Sequence, residues 1–142
     1  MITPKNISIE SVQKISLPKV FFEAGSITAI NGEIDIPFEI KRVFYTYDVP
    51  GGQDRGGHAH HELYQLVVAG SGAFNLKLDD GKSSKVLELN RPYEGIIIPP
   101  GIWGELVNFS SGAIALVLVS DLFKESDYIR DYDDYKSFKD WK

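Results

Sequence analysis

A chain of 142 residues, 43% apolar and 25% charged, has an ordinary globular composition, and a chain of this length buries roughly 68–70% of its unfolded surface without staples. A net charge of −5 argues against a nucleic-acid backbone as partner, and no apolar run approaches the roughly 20 residues of a membrane helix. The absence of cysteine excludes disulfides and thiolate metal sites; with the mixed, polar stretch Met1 to Glu10 in place of a signal peptide, the expectation is a cytoplasmic protein.

In chain order, short β-branched and aromatic runs punctuated by Gly, Pro, Asp and Asn predict strands at Val20–Phe22, Ser26–Ile30, Ile40–Tyr47, Leu63–Ala69, Ala73–Leu78, Lys85–Leu89, Gly95–Ile98, Glu105–Phe109 and Ala113–Val119. Asp79-Asp80-Gly81-Lys82 reads as a hairpin turn, because Asp-Gly tolerates the positive φ such turns require. Ala113–Val119 is apolar on both faces and reads as a central strand. Phe44 and Tyr47 read as core. The tail from Glu125 to Lys142 carries Tyr128, Tyr132, Tyr135 and Phe138 at near-helical spacing, which predicts a loop with one or two helical turns. Many short, evenly spaced strands predict an all-β jelly-roll barrel in a single domain spanning 1–142.

All three histidines fall in Arg55-Gly56-Gly57-His58-Ala59-His60-His61-Glu62. On a strand, His58 and His60 project from one face, about 6.5–7 Å apart along the chain. Two imidazoles beside Arg55 suit either metal ligation or proton transfer at an anionic substrate. His61 has the opposite parity and reads as a surface residue.

The spacing resembles the first motif of the cupins, which runs His-x-His, three or four residues, Glu, six residues, Gly. Here it reads His58-Ala59-His60, four residues, Gln65, six residues, Gly72. The second cupin motif is similar to Gly95-Ile-Ile-Ile-Pro99-Pro100-Gly101-Ile102-Trp103-Gly104-Glu105-Leu106-Val107-Asn108, with Gly104 where the family usually has a third histidine. A metal cupin draws on two His, one Glu and a final His. With Gln65 and Gly104 at two of those positions, only two nitrogen donors remain, so no functional metal is expected.

Further segments tighten the resemblance: Ile36-Pro37-Phe38-Glu39-Ile40-Lys41-Arg42-Val43-Phe44-Tyr45, Arg55-Gly56-Gly57-His58-Ala59-His60, Leu78-Asp79-Asp80-Gly81, Phe109-Ser110-Ser111, Ser120-Asp121 and Asp127-Tyr128-Ile129-Arg130-Asp131-Tyr132. In this order they resemble the sugar 3,4-ketoisomerases that act on dTDP-4-keto-6-deoxyglucose in making unusual deoxysugars. The resemblance implies a jelly roll without metal or cofactor, a nucleotide-sugar (dTDP-hexose) substrate across the barrel mouth, and a homodimer exchanging N-terminal strands within about residues 1–30. It also implies His60 as the main base with His58 assisting. Ketone migration removes and restores protons beside a carbonyl, work for groups titrating near ambient pH.

Arg42 and Arg55 are candidates for the pyrophosphate, since a guanidinium donates paired hydrogen bonds to phosphate oxygens. Lys41 and Arg42 differ in parity, so one of them points outward. Tyr45 and Gln65 are candidates for lining the barrel against sugar hydroxyls, and Trp103 for stacking on thymine or packing its loop. Two departures stand out: Ala24, where family members commonly have arginine, and Gly104, where they have histidine. A lost phosphate-binding arginine costs about 1.5–3 kcal/mol. A nucleotide-sugar-binding cupin without turnover, or a related sugar epimerase, are the competing expectations.

Overall fold

The computed structural model describes residues 3–141; Met1, Ile2 and Lys142, which belong to the expectations for the N-terminus and the tail, lie outside the described residues. Its strands, in chain order, are β1 (Lys14–Ser16), β2 (Lys19–Val20), β3 (Ile27–Thr28), β4 (Arg42–Thr46), β5 (Arg55–His60), β6 (Gln65–Ser71), β7 (Phe74–Asp79), β8 (Ser84–Leu89), β9 (Glu94–Ile98), β10 (Trp103–Val107), β11 (Ile114–Val119) and β12 (Tyr128–Ile129). One helix, α1 (Tyr132–Lys139), follows them. Two five-stranded antiparallel sheets result, ordered β1-β9-β6-β11-β4 and β12-β5-β10-β7-β8, with β2 and β3 forming a separate hairpin. This is the expected jelly-roll architecture.

The interior between the sheets is filled by alternate residues of each strand. Val67 and Ala69 of β6, Leu76 and Leu78 of β7, and Ala115, Val117 and Val119 of β11 are all buried in one cluster. The other face of β11 explains its double apolarity. Leu116 and Leu118 pack outward with Leu66, Val68, Ile36 and Phe38 under the N-terminal segment, so β11 is covered on both sides. A third cluster, Ala59, Trp103, Ile129 and Tyr135, lies where the tail crosses the second sheet.

The β7–β8 turn forms as its Asp-Gly sequence predicts. Gly81 has φ +93°, and Asp80 Oδ1 accepts the N–H groups of Lys82 and Ser83, both at 2.8 Å. Asp80 Oδ2 also accepts the Ile9 N–H at 2.7 Å, tying the N-terminal turn to this hairpin. Burial pushes the Asp80 carboxyl upward, but the three backbone donors and Lys139 outweigh it and hold the group below its ordinary value.

Helix α1 begins at an Asp131 cap whose side chain accepts from the Asp134 N–H. It docks through Tyr135, fully buried, whose hydroxyl shares its proton between the Gly101 carbonyl (2.8 Å) and the Asp79 carbonyl (3.0 Å). Lys139, also buried, donates to the carbonyls of Ile7 (2.8 Å), Pro4 (3.0 Å) and Gly101 (3.2 Å). A single ammonium thereby joins the N-terminal turn, the β9–β10 turn and the tail. Gly101 is required at this junction: it has φ +92°, and a Cβ there would sit 2.2 Å from the Pro4 carbonyl oxygen.

Several sequence expectations are corrected here. The runs at 20–22 and 26–30 shrink to the two-residue strands β2 and β3, and the run at 105–109 begins two residues earlier, at Trp103. Strands β1 and β12, three and two residues long, are too short to announce themselves in sequence and pair with β9 and β5. Phe44 and Tyr47 are not core: Tyr47 is 60% exposed and Phe44 36%, because β4 is a sheet edge that none of the described residues covers. Among the described residues no helix is long and apolar enough to cross a membrane.

Candidate active site

Register places the histidine pair inside the barrel. β5 pairs with β10 so that His58 lies opposite Gly104, whose missing side chain would point at Leu78 and Ile98 of the interior. His58 and His60 therefore face inward while Ala59 faces the tail. The two rings meet edge to face, 4.9 Å between centroids at 88°. His60 is buried and His58 half-buried.

The tail supplies what completes this pair. β12 pairs with β5, setting Tyr128 opposite His60. Asp127, just before it, has its Oδ2 2.9 Å from His60 Nδ1. The same carboxylate accepts the N–H of Glu62 at 2.9 Å and that of Leu63 at 3.3 Å, so its orientation is fixed by backbone. An ionised carboxylate only accepts, so Nδ1 carries the proton and Nε2 keeps its lone pair. Tyr128 lies against both imidazoles, at 4.3 Å from His60 and 5.0 Å from His58, with the Arg130 guanidinium 4.1 Å over its ring. Arg130 is itself held by Glu125 through hydrogen bonds of 2.7 and 2.9 Å.

Beside His60 opens a cavity of about 210 Å3 lined by Arg42, Ser120, Lys124, Asp127 and Tyr128. Two buried polar atoms here find no partner among the described residues: the Nε2 of His60 and the Nε of Arg42. Arg42 reaches this place because it pairs with inward-facing Val119 on β11, and its guanidinium lies between Phe44 (5.1 Å) and Phe123 (5.6 Å). A buried acceptor and a buried donor left open on one cavity suit a ligand oxygen that can both give and receive hydrogen bonds.

Electrostatics modify the simple histidine expectation. Burial, the neighbouring His60 and Arg130 bring His58 down to about 4. His60 is also lowered, chiefly by burial; its bond to Asp127 and that residue's charge oppose the effect, and Arg42 and Arg130 add to it. His58 is therefore held toward its neutral form well below its ordinary range, and His60 is biased the same way by its burial.

The remaining sequence candidates divide. Gln65 faces inward on β6, opposite Val119 and Ile98. Tyr45 does not line the barrel: it pairs with outward-facing Leu116 and is 59% exposed. Arg55 is exposed roughly 16 Å along β5 from His60, in a separate groove with Tyr45, Tyr47 and Asp54. Trp103 is not available for base stacking. It is buried against Tyr132 and Tyr135, and its indole N–H donates to Glu105 at 3.4 Å. His61 is a surface residue, edge-on to Phe138 at 5.0 Å. Asp127 and Tyr128 were visible only as part of a family-like segment; their role depends on contacts spanning 67 residues. A larger apolar groove of about 650 Å3 near Ile7, Ile15, Tyr64 and Ile97 holds no acid–base pair among its lining residues. Among the described residues no three His, Asp or Glu side chains converge as metal ligands.

The two sheets, with imidazoles directed into the space between them, define a cupin jelly roll of the RmlC-like kind, and a 3,5-epimerase structure from Bacillus anthracis at 13% identity and TM-score 0.73 shares that fold. The FdtA family model (WxcM-like, C-terminal) matches residues 10–140, and the chain belongs to this family. A TDP-4-oxo-6-deoxy-α-D-glucose-3,4-oxoisomerase from Aneurinibacillus thermoaerophilus is 40% identical over 124 residues, 87% of this chain and 89% of the relative. A histidine-to-asparagine variant of the 3,4-ketoisomerase QdtA from Thermoanaerobacterium thermosaccharolyticum, solved with TDP-4-keto-6-deoxyglucose, matches with TM-score 0.88 and 37% identity over 92% of this chain and 94% of that one. Two Campylobacter jejuni structures match with TM-score 0.86: the TDP-quinovose ketoisomerase WlaRB (39% identity, covering 91% and 99%) and the TDP-fucose ketoisomerase WlaRA (30%, covering 92% and 96%).

Proposed function

We propose that this chain moves the ketone of a dTDP-4-keto-6-deoxyhexose from carbon 4 to carbon 3. The observation that carries this reading is the pair of unpartnered buried atoms, His60 Nε2 and Arg42 Nε, open to one cavity beside a carboxylate-fixed imidazole. With its Nδ1–H donated in a hydrogen bond to Asp127, His60 takes the carbon 3 hydrogen as a proton on Nε2. The electrons move into a carbon–carbon double bond and the carbonyl oxygen becomes an enediolate oxygen. Arg42 donates to oxygen where that charge develops. His58, edge-on to His60, carries the proton from the carbon 3 oxygen to the carbon 4 oxygen, and carbon 4 is reprotonated. Each bond to hydrogen broken is matched by one formed, and no redox partner enters. Gln65 hydrogen-bonds the sugar and Arg55 serves the nucleotide end.

Incubation with TDP-4-keto-6-deoxyglucose in deuterated water, followed by NMR, tests the reading. The expected result is a 3-keto product with solvent deuterium at carbon 4, lost in His60→Asn. Absence of conversion and exchange refutes it. A second reading, binding without turnover, draws on Gly104 and Ala24, which leave out an imidazole and a cation. It predicts a thermal shift with TDP and no product.

The same reading includes a homodimer. The β2–β3 hairpin exposes Val20, Phe21, Phe22 and Ile27, and the free β4 edge exposes Val43 and Tyr45. Exchange of N-terminal strands between two copies would cover both surfaces.

A further inference from the structure

Asp127 fixes the ring of His60, and the backbone of His60 is fixed from another direction. The ladder between β5 and β10 runs from Arg55 opposite Leu106 to His58 opposite Gly104 and ends there. Beyond that point Gly101, in the turn before β10, donates its N–H to the His60 carbonyl at 2.9 Å. On the other edge of β5, Tyr128 pairs with His60. The position of the His60 Cα, and with it the reach of Nε2, therefore depends on where the Gly101 N–H points.

A glycine at φ +92° does not hold that direction by itself. Without a Cβ, its two flanking peptide planes turn relative to each other at little cost, so outside partners have to set them. The Gly101 carbonyl has two, both buried: the Tyr135 hydroxyl at 2.8 Å and Lys139 Nζ at 3.2 Å. Lys139 divides its protons among three carbonyls, and its bond to Gly101 is the longest of them. Tyr135 is the firmer partner. Its ring lies 5.5 Å from that of Trp103, in one apolar cluster with Ala59 and Ile129, the chain neighbours of His60 and Tyr128. Burial raises the Tyr135 hydroxyl above its ordinary range, so it remains a donor wherever the histidines work.

We propose that Tyr135 is a positioning residue for His60: its hydroxyl fixes the Gly101 peptide, and the Gly101 N–H in turn holds the His60 backbone at the depth from which Nε2 meets the sugar. What Nε2 does there rests on the ketoisomerase reading above; the chain of hydrogen bonds does not. Tyr135 is not among the residues lining the cavity beside His60, so its effect falls on the reaction step and not on ligand affinity.

Tyr135→Phe tests this beside Tyr132→Phe. Tyr132 packs edge-on to Trp103 in the same part of the tail, but its hydroxyl donates to Asp79 Oδ2 at 2.9 Å instead of to Gly101. With TDP-4-keto-6-deoxyglucose, Tyr135→Phe should lower kcat about 10-fold and leave KM and the affinity for TDP within about twofold, because a small displacement of a reacting group costs rate before binding. Tyr132→Phe should keep the wild-type kcat. An unchanged kcat in Tyr135→Phe, a rise in KM alone, or an equal fall in both variants overturns the inference; the equal fall would mean that tail packing as a whole is what matters. If Tyr135→Phe fails to fold, Lys139→Met, which withdraws the other donor to the same carbonyl, replaces it under the same criteria. NMR of the histidine ring nitrogens in 15N-labelled protein separates this inference from the ketoisomerase reading. The His60 resonances should move in Tyr135→Phe and stay in place in Tyr132→Phe, whether or not any sugar turns over. Wild-type protein without turnover removes the ketoisomerase reading alone; His60 resonances indifferent to Tyr135→Phe remove this one.

Discussion

At the scale of single residues, Asp127 determines what His60 can do. Its carboxylate is anchored by the Glu62 and Leu63 N–H groups, so it fixes the ring rather than following it. Asp127→Asn presents an amide able to donate to Nδ1, which favours the wrong tautomer and turns the proton-bearing nitrogen toward the substrate. The expected loss in kcat is about 10²-fold or more, with KM changed much less, measured by steady-state kinetics. Retention of full kcat would show that Asp127 is only a structural contact. The lowered histidines make a second prediction. Between the ordinary value of 6.5 and the value near 4 held by His58, the unfolded chain binds a proton that the folded chain refuses. Stability therefore falls as pH drops through that window, and chemical denaturation of His58→Asn should show a shallower fall. The acid limb of kcat/KM should likewise lie below 6.5. The parity of His58 and His60, and the inward direction of one member of the Lys41–Arg42 pair, follow from strand alternation. The bond from Asp127 and the displacement of Trp103 into the tail cluster depend on contacts between distant segments, which local pattern does not encode.

At the scale of elements, the tail does more than a loop with a helical turn would suggest. Lys139 satisfies three carbonyls from an ammonium that burial brings down to about 8 against the favourable charge of Asp80. Lys139→Met keeps the apolar stem but leaves those carbonyls without a donor. Its expected cost is about 2–4 kcal/mol in denaturant unfolding, without a change of sheet content by circular dichroism. The Asp-Gly turn and the doubly apolar β11 were legible because each is a local pattern. The three-residue β1 and the two-residue β12 were not, since a strand that short is defined by the neighbour it pairs with. The error over Phe44 and Tyr47 has a related cause: an apolar strand reads as core in sequence whether or not the fold covers it.

At the scale of the whole molecule, the proposed dimer rests on the exposed aromatic hairpin and the β4 edge. Analytical ultracentrifugation should give a dimer, and replacing Phe21 and Phe22 with serine should shift it toward monomer without unfolding the barrel; a wild-type monomer at micromolar concentration would reject the exchange. The two halves of the molecule also differ in when they become available during synthesis. Every strand of the first sheet, and all of the second except β12, precedes Val119, while the carboxylate that sets His60 arrives eight residues later. Clipping of the segment beyond β11 by a protease would remove that carboxylate together with the buried Tyr135 and Lys139, whose bonds join the tail to the β9–β10 turn and the N-terminal turn.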